Sequence, residues 1–152
     1  MPRSATRSLS EDRLAEAWRL SNLLISVTEQ ARAEFAEIVA GFGLPVHLSR
    51  ALLLLERPAP MGEVADHLAC DPSYVTALAD KLEERGLAVR ESGQDRRVKL
   101  LVPTPEGAAL RDRITEAVSE HSLVLRRLDD TERQTLAPLL ARLAGEPTEP
   151  EL

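Results

Sequence analysis

The sequence predicts a mainly α fold that carries one small β-hairpin. Three observations lead there. Aromatic residues make up 3% of the 152 residues and hydrophobic ones 43%, so the core has to be assembled from Leu, Val and Ala, the mixture of packed helices. Apolar positions follow helical spacing over most of the chain. Only between Leu87 and Val102 does the period shorten to two, the pattern of paired strands.

The elements follow in order. Residues 1–9 read as a disordered leader. Ser10 then suits an N-cap, with Glu11 and Asp12 at the positive end of a helix and Leu9 and Leu14 at staple spacing. Ala17, Leu24, Ala31 and Ile38 recur at heptad spacing, Leu14, Phe35 and Phe42 widen that stripe, and Gly41, Gly43 and Pro45 stop it. A short apolar helix is expected between Val46 and Glu56, ended by Arg57-Pro58-Ala59-Pro60, and another from Met61 to Ala69. Asp71-Pro72 reads as an N-cap followed by an N1 proline, and Arg85-Gly86 as a cationic last turn followed by a left-handed cap.

Past Gly86 the alternation sets Leu87 and Val89 on one strand face, and Val98, Leu100 and Val102 on one face of the next, with Ser92-Gly93-Gln94-Asp95 as the turn. Thr104-Pro105-Glu106 opens a helix expected to reach Arg127, its seam formed by Leu110, Ile114, Ala117, His121, Val124 and Leu128. Asp129 and Glu132 form a capping-box pair ahead of Leu136, Leu139, Leu140 and Leu143, and Pro138 predicts a kink or a late start there. Residues 146–152 read as an acidic tail.

Composition bounds the function. The net charge of −6 argues against coating nucleic acid by bulk electrostatics, yet Arg90, Arg96, Arg97 and Lys99 make a local cationic excess. No apolar run approaches the roughly 18 residues that span a bilayer. The start lacks a signal-peptide core, so a cytoplasmic chain without membrane contact is expected. The single cysteine, Cys70, excludes an internal disulfide and reads as a core residue. His47, His67 and His121 fall on separate helices without ligand spacing, and no metal or cofactor is expected. No phosphate loop, nucleophile–base pair or carboxylate pair points to an enzyme.

Val64 to Leu78 carries the informative spacing. Ala65 suits a close helix contact, Ala69 a permissive turn and Val75 a branched lock between crossing helices, while Val64, Leu68, Cys70 and Leu78 fill the joint. With the hairpin behind it, this reads as a winged helix-turn-helix. On a helix starting at Pro72, Val75, Leu78, Ala79 and Leu82 face inward, leaving Ser73, Tyr74, Thr76, Ala77, Asp80 and Lys81 outside.

These residues resemble the multiple-antibiotic-resistance regulator (MarR) family. The resemblance rests on Asp71-Pro72-Ser73-Tyr74-Val75-Thr76, Leu78, Leu82-Glu83-Glu84-Arg85-Gly86-Leu87, Asp95-Arg96-Arg97 and Thr104-Pro105-Glu106-Gly107, and spans about Ser10 to Gly145. It implies a homodimer in which 10–45 and 104–145 form a helical dimerisation domain and 46–103 a DNA-binding domain. It also implies a repressor on a pseudo-palindromic double-stranded operator, released by a small aromatic or phenolic effector. Ser73, Tyr74, Thr76, Ala77 and Lys81 are then expected at the major groove, Arg96 and Arg97 at a minor groove with Asp95 orienting its neighbour, and Trp18 at the effector. Many relatives carry arginine where this chain has Ala77, which leaves a thymine methyl as the contact. The acidic charge suits an alternative, a winged-helix interaction module that binds no DNA.

Overall fold

A computed structural model describes residues 4–145, with side chains from residue 10 onward. Its elements are α1 (Ser4–Ala40), α2 (Val46–Leu53), β1 (Ala59–Pro60), α3 (Met61–Leu68), α4 (Pro72–Glu84), β2 (Ala88–Ser92), β3 (Lys99–Pro103), α5 (Pro105–His121), α6 (Leu123–Arg127) and α7 (Asp130–Ala144). The expected class, mainly α with a small β wing, is the one observed.

α1 begins at Ser4 rather than at the Ser10 cap, inside the segment expected to be a disordered leader. Residues 4–9 contain neither Gly nor Pro, and extending a formed helix costs far less than nucleating one. Residues 1–3 of that leader and the acidic tail at 146–152 lie outside the described residues.

The hairpin carries a third strand that the sequence hid. β1 pairs with β3, giving the antiparallel order β1-β3-β2. Its residues, Ala59 and Pro60, read as helix-breaking text, and proline is tolerated here because β1 is an edge strand. The buried face also differs from the alternation. Ala59, Ala88 and Leu101 are buried, whereas Val89 and Val98 are exposed and Leu100 and Val102 half-buried. Small Ala88 turns inward because β2 runs close beside α4, and the bulkier valines take the outer face.

α5 stops at His121, short of the expected Arg127. Ser122 leaves helical geometry at φ −56, ψ 126, and α6 starts beyond it. The break is stabilised from α1: a Glu34 carboxylate oxygen accepts the Leu123 amide at 2.6 Å, and the other pairs with Arg126. The expected single seam therefore runs along one helix through Leu110, Ile114, Ala117 and His121, and the break at Ser122 carries Val124 into α6 and Leu128 to its end. α7 opens with the expected capping box, in which Asp129 accepts the Glu132 amide at 2.8 Å and Glu132 accepts the Asp129 amide at 2.9 Å. Pro138 lies inside α7, so the late start does not occur.

The core gathers Leu48 and Leu52 of α2, Val64 of α3, Val75, Leu78 and Leu82 of α4, Leu101 of β3, Val39 of α1 and Ile114 of α5. Two halves of the chain meet in it. At 10–30 every residue of α1 is exposed, and α7 buries none.

Gly107 explains the Thr-Pro-Glu-Gly text. The Thr104 amide donates to the Leu87 carbonyl at 3.1 Å and its hydroxyl to the Gly86 carbonyl at 2.6 Å, pinning α5 against the end of the helix-turn-helix. A Cβ on Gly107 would sit 1.8 Å from the Leu87 oxygen. We expect Gly107→Ala to lose at least about 2 kcal/mol of stability, the scale of a forced overpacking. A thermal melt would register this as a fall of several degrees, and an unchanged midpoint would contradict the close approach.

Candidate nucleic-acid interface

α3 and α4 meet across Ala69, whose φ of 49 and ψ of 50 are left-handed, the permissive turn that the spacing required. Ala65 is buried at the crossing, and its carbonyl accepts the Cys70 amide at 3.1 Å. Cys70 is half-buried against the core. Asp71 is the N-cap of α4 by backbone geometry only. Its carbonyl accepts the Tyr74 and Val75 amides at 3.0 and 3.2 Å, and its carboxylate makes no cap bond.

Burial sorts the helix as its period required. Val75, Leu78, Ala79 and Leu82 are buried, and Ser73, Tyr74, Thr76, Ala77, Asp80 and Lys81 are exposed. The Thr76 hydroxyl donates to the Pro72 carbonyl at 3.1 Å, which leaves its oxygen lone pairs outward, able to accept from a base amino group. Lys81 pairs with Glu84 at 3.0 Å in a solvated, weak contact that a phosphate can replace. Tyr74 is 47% exposed rather than packed away.

At the wing, Gly93 donates to the Val98 carbonyl and Val98 to the Asp95 carbonyl, both at 2.9 Å. Asp95 also accepts the Arg97 amide at 2.9 Å. Its carboxylate thus sets the main chain of its neighbour, while the guanidinium groups of Arg96 and Arg97 form no ion pair among the described residues. Both arginines are exposed.

A groove of about 400 Å³ joins wing and helix, lined by Thr76 of α4, Arg97 and Lys99 of the wing, and Met61 and Gly62 at the start of α3. Ser73, Tyr74, Ala77, Lys81 and Arg96 do not line it. Lys99 and Gly62 are additions to the residues read from the sequence. The cationic run had flagged Lys99 only as part of a local excess, and Gly62 gave no signal because its contribution is an open backbone, with nothing near a would-be Cβ.

A larger open cavity, about 890 Å³, lies between α1 and the α2–α3 pair. Leu24, Val27 and Phe35 of α1 face Leu54 and Leu68 across it, Leu140 of α7 closes one side, and Arg32, Arg50 and His67 supply polarity. Neither Arg32 nor Arg50 has an ion-pair partner among the described residues. Trp18 is 63% exposed and is not among the lining residues. His47, His67 and His121 stay apart, and no group of His, Cys and carboxylates with metal-holding geometry occurs among the described residues. No described helix is long and apolar enough to cross a membrane.

No family model matches the chain, and no curated protein does. Solved structures do. A transcriptional regulator of the MarR family from Rhodococcus sp. RHA1 aligns at 30% identity with a TM-score of 0.67, covering 84% of this chain and 94% of that one. CouR from Rhodococcus jostii RHA1, bound to p-coumaroyl-CoA, aligns at 29% identity with a TM-score of 0.68 over 87% and 95% of the two chains. A mutant MarR from E. coli complexed with operator DNA reaches a TM-score of 0.69 at 22% identity over 84% and 95%, a likeness of fold.

Proposed function

The chain belongs to the MarR family of transcriptional regulators, and we propose that it works as a homodimeric repressor that holds a pseudo-palindromic operator with two winged helices and releases it on binding a small effector. The observation that carries this reading is the shared groove of Thr76, Arg97 and Lys99, continuous with an outward α4 face and set in an otherwise acidic chain.

In this reading 46–103 forms the DNA-binding part, and 10–45 with 104–145 the dimerisation part. The α4 N-terminus enters the major groove with Ser73, Tyr74, Thr76 and Ala77 at base edges or phosphates, and Lys81 on the backbone. Ala77 offers a methyl group to thymine. Arg96 and Arg97 take a minor groove, with Lys99 on the flanking phosphate. Work on an operator places the protein in the cytoplasm and gives it no catalytic step.

The 890 Å³ cavity is the effector site of this proposal. Its apolar walls suit an aromatic or phenolic body, and the unpaired Arg32 and Arg50 suit a carboxylate or other anionic end. CouR, solved with an aromatic acyl thioester, supports that class. Leu68 and His67 wall the cavity from the end of α3, directly before the Ala69 corner, so a wedge between α1 and α3 tilts the rigid α3–α4 pair. The two reading helices of a dimer then no longer match half-sites one helical turn apart.

Two measurements test the reading. Replacing Arg96 and Arg97 together with alanine should weaken operator binding more than about tenfold and lower the slope of log affinity against log salt by about four, two cations from each protomer of the dimer, with the oligomer unchanged. Unchanged operator binding would favour the interaction-module alternative. Arg32→Ala combined with Arg50→Ala, which removes the cations of the cavity without adding bulk to it, should leave operator affinity within a few-fold of native and weaken release by aromatic carboxylates that act on the native protein more than about tenfold. Undiminished release would place the effector elsewhere.

A further inference from the structure

Arg90 sits among the wing cations and lines the same groove as Arg97 and Lys99, yet its surroundings are of a different kind. Its Nε and Nη2 donate to one Glu83 oxygen at 3.1 and 2.6 Å, and its backbone amide donates to the other at 2.8 Å. Nη2 also pairs with Asp80. Two carboxylates on α4 therefore hold one strand residue by main chain and side chain together. The contacts act on protonation in the same sense: the hydrogen bond to Arg90 lowers the Glu83 pKa, and the bond from Glu83 raises that of Arg90. The clamp is thus fully charged above the unfolded value of the carboxylate and is lost only as acid titrates Glu83 through its depressed folded value.

We propose that Arg90 is a positioning residue, clamping the wing to the recognition helix through Glu83 and Asp80 so that both reach DNA as one rigid unit, and that it makes no phosphate contact itself. Two features of the fold give the clamp its purpose. The covalent link between α4 and β2 is short but turns through Gly86 at φ +69, so the angle of the hairpin needs a second tie. Arg90 lies in the middle of β2, and the tip with Arg96 and Arg97 extends about 10 Å beyond it at roughly 3.4 Å per residue, so a small error of angle is magnified there. The clamp also offsets Asp80, a carboxylate on the outward face of α4 that would otherwise repel the backbone of the duplex.

The inference rests on the DNA-binding reading, and its test separates the two. Operator titrations of the full-length protein over a range of KCl concentrations compare native, Arg90→Gln and Arg97→Gln. If the native protein binds no operator, the functional reading fails. If it binds, Arg90→Gln should weaken binding more than about tenfold at every salt without lowering the salt slope, while Arg97→Gln, lost from both protomers, lowers the slope by about two. A slope that falls by about two in Arg90→Gln makes it a direct phosphate contact in each protomer and overturns the clamp. A charge exchange covers the case in which Arg90→Gln folds poorly. Arg90→Glu alone should bind weakly, and combining it with Glu83→Arg should restore affinity to within a few-fold of native. A double variant no better than the single overturns the proposal. Without DNA, amide exchange at Gly93 to Val98 should quicken in Arg90→Gln, and unchanged exchange would likewise count against the clamp.

Discussion

The uncovered apolar surface of α1 is the constraint on which the rest depends. Leu14, Trp18, Leu20, Leu23, Leu24, Ile25 and Val27 are all large, and all are exposed within one chain. A helix this bare has no reason to persist alone in water, since isolated helices owe little to their own hydrogen bonds and most to the surface they bury. Covering each such side chain is worth about 1.5–3 kcal/mol. α7 shares the condition, with Leu139, Leu140 and Leu143 exposed. A second copy that lays the same elements across these faces meets both needs by one symmetric contact. Ordering of α1, the distance between two reading helices and the closure of the cavity proposed for the effector then become one event.

The winged unit is built on the opposite principle, small residues that let backbones approach. Ala65 and Ala69 bring α3 onto α4, Ala88 brings β2 beside α4, and Gly107 brings α5 onto Leu87. Little is left to shift inside such a unit. A displacement imposed at Leu68 is therefore carried to α4 and the wing rather than absorbed. Stiffness in the reader and incompleteness in the dimerisation helices are complementary parts of one device.

The sequence carried the helix-turn-helix almost entirely, because its signals are local: a cap, a proline, a left-handed residue and a helical period that sorts Val75, Leu78, Ala79 and Leu82 inward. Misreadings arose where a distant partner decides. α5 breaks at Ser122 because Glu34, far away in sequence, caps the next helix. Ala88 rather than Val89 faces inward because that is the side on which β2 packs against α4. β1 was hidden because proline is compatible with a strand only at an edge, which sequence alone does not reveal. At the interface, the outward residues of α4 were legible from period. The different surroundings of Arg90, Arg97 and Lys99 were not, since cations in one stretch look alike until their partners are seen.

The central claim is that the exposed apolar surface of α1 is an interface between two copies of this chain. Sedimentation equilibrium of the purified protein at low micromolar concentration tests it most directly. The account predicts a mass of twice the 16.7 kDa of the chain. A well-folded, fully helical species of 16.7 kDa at that concentration would contradict it.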